Sequence, residues 1–282
     1  GVGGASIRGE IVRELVLFLY KPKVESKKRK NAAVLLSQVK YEPVIDYSLA
    51  RHVNDALMKM IRNLFMSSSE LDINKKNKAN RGKKAIVFTD GDANLMANIL
   101  IGFWKTYKVA NDRNVPSDLK AEAVDQVHWK LFADLARHAE FSVSFEALRC
   151  LWVMYQHDST DDMFCNAFYN IVYSKLNDIN ILTSSKLESF LLLVLHAMST
   201  DTHIARVYAF AKRLMQSCLH GSNAYSSAVL LTLADAIKAI PALKTLIISS
   251  GIDNDDDDDE SDSDDDGEKN GDGDVDMENK KT

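Results

Sequence analysis

Apolar residues recur along most of this chain at the three- and four-residue spacing of an α-helix, and polar, often lysine-rich stretches interrupt them. The clearest stripe is Leu187, Phe190, Leu191, Val194, Leu195 and Met198, which marks one face of a single helix. Thr183 or Ser184 is placed to cap it. Ile204, Val207, Ala211, Leu214, Met215 and Cys218 repeat the pattern up to Gly221, and residues 223–240 give a further helix that Pro241 ends. Nearer the N-terminus, residues 7–20 read as a helix with Ile11, Leu15, Phe18 and Leu19 inward. Residues 21–30 read as a basic connector, 31–41 as a short helix and 46–66 as a long one. Residues 67–90 are polar and lysine-rich and lack an apolar period, so they read as a disordered or looped insertion, with Ile86-Val87-Phe88 a short extended piece. Asp92, Ser117, and Ser142 or Ser144 are the expected caps of three more helices.

Helix pairs are expected to begin near Ser117, Asp162 and Thr202, offsets of about 40–45 residues, which is the HEAT or armadillo range. The fold expected is therefore all-α, a HEAT/armadillo-like helical-repeat solenoid. Its N-terminal repeats would occupy residues 1–66, a basic flexible insertion 67–90, and a second helical-repeat domain 91–250. Stacked helix pairs share one continuous core and leave an extended face for binding.

Composition sharpens this picture. Four prolines and twelve glycines in 282 residues favour long helices over many short strands. The first residue is Gly1 and not Met, as expected of a fragment or a processed product. Cys150, Cys165 and Cys218 sit singly inside apolar runs, which suits reduced thiols in a cytosolic or nuclear setting better than a disulfide frame or a zinc site. No run of eighteen apolar residues is present, so no membrane partner is expected. The charge divides sharply. Residues 251–282 hold 16 acidic and 3 basic residues, a net of −13, whereas the preceding part holds 24 acidic and 32 basic, a net of +8. The acidic segment has too little apolar surface to offset chain entropy and is expected to be disordered. The basic body suits an anionic partner.

Enzyme signatures fail. There is no glycine-rich phosphate loop, and the seven histidines are scattered. His196, between Leu195 and Ala197, reads as a packing residue, and Asp161-Asp162 reads as a helix N-terminus. No catalytic residue, cofactor or metal is expected. Trp104, Tyr107 and Trp129 fall at helical spacing and read as packing. The candidate binding residues are basic. Lys27, Lys28, Arg29 and Lys30 form either a phosphate-contacting or nuclear-import patch or a solvated loop, and the lysines from Lys75 to Lys84 carry the same alternatives. Arg206 and Arg213, seven residues apart with Lys212 beside them, form either a solvated stripe or a groove that contacts RNA phosphates or an acidic partner.

The ordered set Phe168-Tyr169, Tyr173-Ser174-Lys175-Leu176, Leu182-Thr183-Ser184-Ser185-Lys186, Arg206-Val207 and Phe210-Ala211-Lys212-Arg213-Leu214 resembles the CCAAT-binding-factor (CBF) domain of the maintenance-of-killer and nucleolar complex proteins. The resemblance implies a non-catalytic assembly factor for the large ribosomal subunit in the nucleolus. It also implies pre-ribosomal RNA, a second nucleolar complex protein as heterodimer partner, and other large-subunit assembly factors as the company it keeps. It raises Arg206, Lys212 and Arg213 as RNA- or partner-binding residues. The alternative it leaves is a transcription coactivator at CCAAT-type promoters, although no zinc finger or basic zipper is legible. After Leu100 and Gly102 such domains continue with an Asn-Arg-Ala-like run. Here Phe103-Trp104-Lys105-Thr106-Tyr107 stands there, so Lys105 would replace the arginine as a point charge only. In the tail, Ser261 and Ser263 precede Asp264 and Asp266 by three residues, the pattern acidophilic kinases accept. Each phosphate would add about −1.5 to −2 charge.

Overall fold

The computed structural model describes residues 2–21, 24–75, 88, 90–112, 114–115, 126–158 and 162–248. Every regular element among them is helical: α1 (Val2–Tyr20), α2 (Ser26–Gln38), α3 (Pro43–Lys75), α4 (Asp90–Ala110), α5 (Gln126–Ala136), α6 (Phe141–Asp158), α7 (Asp162–Lys175), α8 (Leu187–Thr200), α9 (Ile204–Cys218), α10 (Asn223–Ala239) and α11 (Leu243–Ile248), with a 3-10 turn at Ile179–Ile181 before α8. The acidic tail and its Ser261 and Ser263 lie outside the described residues, as do most of the lysines between Lys75 and Lys84.

Consecutive and near-consecutive helices pack in a repeat-like series. α4 lies against α2, α3 and α6; α6 continues onto α5 and α7; α10 joins α8, α9 and α11. One buried apolar cluster runs through the series, from Val12 and Val16 in α1 to Val229 and Leu233 in α10. The α3–α4 crossing is close. A Cβ on Gly102 would stand 3.0 Å from Leu57 Cδ1, so glycine lets the two helices approach. Buried Asn54 closes the same seam by donating from Nδ2 to the Phe103 carbonyl and to Thr106 Oγ1, both at 3.2 Å.

Several boundaries differ from the expectation. In α1 the buried stripe is Val12, Val16 and Leu19, while Ile11 and Phe18 are exposed. Two adjacent apolar stripes run along this helix, and only packing against α2 and α3 selects between them. α2 starts at Ser26, inside the expected connector, because Lys and Arg are good helix formers whose long side chains can face water. α3 continues nine residues past its expected end at Met66, to Lys75. A helix already nucleated and packed needs no apolar face to propagate a few more turns. Asp92 lies inside the first turn of α4 and does not precede it. Likewise α6 begins at Phe141, and buried Ser144 donates to the Phe141 carbonyl at 3.1 Å. Lys186, and neither Thr183 nor Ser184, occupies the cap position of α8, although Ser184 Oγ accepts from the Lys186 amide at 3.1 Å. Only the last part of the helix expected from Ser117 is described, as α5.

Candidate functional site

Glu146, on α6, is one of the buried charges of the helix series. It stands alone as an acid in the run from Phe141 to Met154, and α6 turns it inward, where its side chain is 2% exposed. An unpaired carboxylate there would cost several kcal/mol, so it recruits partners. Lys186, at the cap of α8, reaches it at 2.7 Å, the Trp104 indole N–H of α4 donates to it at 3.2 Å, and Arg149 stands 3.8 Å away. One buried carboxylate thus ties α4, α6 and the start of α8 together. Phe190 reinforces the α6–α8 contact by meeting Phe141 and Phe145 edge-on at 5.9 and 6.1 Å.

The arrangement fixes cations along a groove. Arg149 lies over the Trp104 ring at 4.0 Å, held from behind by Glu146, yet its side chain stays 33% exposed. Lys105, beside it, donates to the Ser37 carbonyl of α2, and its Nζ stands 5.9 Å from the Trp104 ring centre. Burial lowers the Lys105 pKa from its usual value; the neighbouring Arg149 and Lys40 charges push the same way, with Glu146 opposing. Two clefts adjoin here and share Trp104 and Lys108. One, of about 390 Å³, runs past Lys40, Tyr41 and Lys105. The other, of about 400 Å³, runs past Arg149, Trp152 and His196 between α4, α6 and α8. Lys40 and Lys108 form no ion pair with a described residue.

His196 is therefore not a core packing residue. It is exposed on the side of α8 opposite Phe190, Leu191, Val194 and Met198. Trp104 is half-buried at the groove, whereas Tyr107 and Trp129 are buried as expected.

The basic residues singled out from the sequence fall in two separate places. Lys27 and Lys28 are exposed in the first turn of α2, where like-signed charge opposes the helix dipole. Lys28 pairs with Glu25 at 3.5 Å, Arg29 donates to the Lys21 carbonyl at 3.2 Å, and Lys30 is half-buried. Arg206, Lys212 and Arg213 lie on α9. The Arg206 guanidinium is engaged on all sides. Nε and Nη2 grip Asp201, the latter at 2.7 Å; Nη1 donates to Asn166 Oδ1 at 2.8 Å; and the plane covers Tyr169 at 4.0 Å. The hydrogen bonds to Asp201 raise its already high pKa. Arg206 thus joins the start of α9 to α7. Arg213 stacks on Tyr173 at 4.8 Å, and Lys212 is exposed. Sequence reasoning missed the Glu146 cluster because its members are some forty residues apart; the one signal was a lone acid on an apolar face.

No group of three or more His, Cys, Asp or Glu among the described residues is arranged to hold a metal ion. No described helix is long and apolar enough to cross a membrane. Residues 144–281 match the CBF/Mak21 family. The protein SLOW WALKER 2 of Arabidopsis thaliana is 26% identical over 255 residues, which cover 86% of this chain and 24% of that protein. The ribosome biogenesis protein NOC1 of Chaetomium thermophilum is 27% identical over 136 residues, 48% of this chain and 13% of that protein. Nucleolar complex protein 1 of Drosophila melanogaster is 46% identical over 55 residues, 19% of this chain and 5% of that protein. The chain thus spans a quarter or less of the length of these relatives.

Proposed function

We propose, since the chain carries a family-level match to the CBF/Mak21 proteins, that it acts in the nucleolus as part of a non-catalytic assembly factor for the large ribosomal subunit. The match over residues 144–281 is the observation that carries this reading, and the names of the Chaetomium and Drosophila relatives support it. The mechanism is scaffolding. Helices stacked in series on one continuous core make a stiff, extended surface. A HEAT-like solenoid of this kind holds early pre-ribosomal RNA and a second nucleolar complex protein in one geometry, and other large-subunit assembly factors join them. Residues 91–250 form its second repeat domain. Lys27, Lys28, Arg29, Lys30, Lys212 and Arg213 supply phosphate or partner contacts outside the main groove. The acidic tail competes with RNA for the basic body, and phosphorylation of Ser261 and Ser263 strengthens that competition.

Purification of the tagged protein from its own cells tests the reading. Large-subunit precursor RNA and assembly factors are expected with it. Recovery of promoter chromatin without them overturns it in favour of the coactivator.

A further inference from the structure

We infer that the double cleft built on Trp104, Lys108 and Arg149 is a seat for a short single-stranded stretch of RNA; this rests on the assembly-factor reading and supplies it with a site. The lining is strongly cationic. Lys40, Lys105, Lys108 and Arg149 face it against one carboxylate, Asp112, which already accepts from the Asn114 amide and side chain, both at 3.0 Å. Nothing among the described residues neutralises Lys40 or Lys108. Glu146 is turned into the core, where Lys186 takes one oxygen at 2.7 Å and Trp104 and Arg149 share the other at 3.2 and 3.8 Å. Burial weakens the hold of Lys105 on its proton, and repulsion from the neighbouring Arg149 and Lys40 charges adds to it. A bound anion relieves that repulsion, and a chain of phosphates spaced along the two adjoining clefts relieves it at several points.

The aromatic component distinguishes RNA from a merely acidic peptide. Arg149 is held over the Trp104 ring at 4.0 Å, with the buried Glu146 carboxylate 3.8 Å away, and a third of its side chain faces the groove. A guanidinium plane fixed in this way is a stacking surface for an unpaired base, and its position is set before the ligand arrives. Trp152, itself stacked on Phe168 at 5.4 Å, and His196 continue the lining. Cations that track a backbone beside flat groups that accept bases are the parts of a single-strand site. Each cleft falls in the range of about 300–1,000 Å³ seen for small-ligand pockets.

The test uses the full chain and two probes, a fluorescent twelve-nucleotide single-stranded RNA of mixed sequence and a poly-aspartate peptide of equal charge. Affinity is measured across a salt series, and melting curves confirm folding. The double variant Lys40→Glu with Lys108→Glu touches only exposed, unpaired side chains. It should weaken RNA binding about tenfold or more at low salt and lower the salt slope by about 1.4, at roughly 0.7 per single-strand contact. Arg149→Lys keeps the charge and removes the stack, so affinity should fall a few-fold with the slope unchanged. Lys244→Glu, exposed on α11 and outside both clefts, should stay within about twofold of the parent. An unchanged slope in the double variant overturns the proposal. If Lys212→Glu on α9, measured alongside, causes the loss and the double variant does not, RNA binds at α9, and the assembly-factor reading stands without this site. Poly-aspartate binding as tightly as RNA, with Arg149→Lys silent, makes the cleft a seat for acidic protein. No RNA binding by the parent chain also overturns the site and leaves the functional reading to the purification.

Discussion

Arg149 and Arg206 are the same side chain in the same stack. Each lies 4.0 Å from an aromatic ring, Trp104 in one case and Tyr169 in the other. Their remaining bonds separate them. Arg206 grips an Asp201 side chain that is fully buried beneath it, adds Asn166, and joins two helices. Arg149 has one longer contact to a carboxylate that Lys186 and Trp104 already satisfy, and it keeps a third of its side chain in the groove. The first arginine is a fastener and the second is available to a ligand. An arginine's role therefore follows from what its neighbours leave unspent, not from its place in a family motif.

Removing the fastener should have the larger effect. Arg206→Ala leaves a buried carboxylate without its cation and is expected to cost about 3 kcal/mol. For a chain of this size that corresponds to a melting temperature lower by roughly 6–12 °C. A melting curve like the parent's would place Arg206 with Arg149. Arg149→Ala should cost only about 1 kcal/mol, since one partly exposed cation–π contact is lost and Glu146 keeps two partners. A loss as large as that of Arg206→Ala would make both residues structural.

The tail gives a smaller effect. Deleting residues 254–282 should leave the melting temperature unchanged and tighten RNA binding a few-fold at low salt, because a segment of net −12, with 15 acidic and 3 basic residues, then no longer competes for the groove. Equal affinities at low salt would show that the tail does not reach it. The smallest effect concerns two thiols. Cys165 Sγ lies 3.9 Å from Arg206 Nη2, so in Arg206→Ala it should react faster with a thiol reagent. Cys150, fully buried with its thiol pKa pushed well up by burial, should stay unlabelled in the parent and in both arginine variants. Rapid labelling of Cys150 would mean that α6 is not the packed centre described above.

Helical period made the helices and most of their inward faces legible. Leu191, Val194 and Met198 are buried as the spacing demands. What period cannot do is choose between neighbouring apolar stripes on one helix, which is why Val12 and Val16 are buried where Ile11 was expected. Nor can it foresee that a basic run such as Lys27 to Lys30 starts a helix, since charged side chains fit a helix wherever one face meets water. His196 was misplaced for the related reason that a mostly apolar helix still has one side open. The groove lay beyond local reasoning altogether, because Trp104, Glu146 and Lys186 meet only after three helices have packed.

The most direct measurement sets the two arginines against each other with matched neutral variants. For Arg149→Gln and Arg206→Gln, the slope of RNA affinity against salt is measured at a temperature where both are folded. Arg149→Gln should reduce the slope by about 0.7 and weaken binding, while Arg206→Gln should lower the melting temperature and leave the slope of the folded protein at the parent value. A reduced slope in Arg206→Gln with an unchanged one in Arg149→Gln would contradict the assignment of fastener and ligand contact.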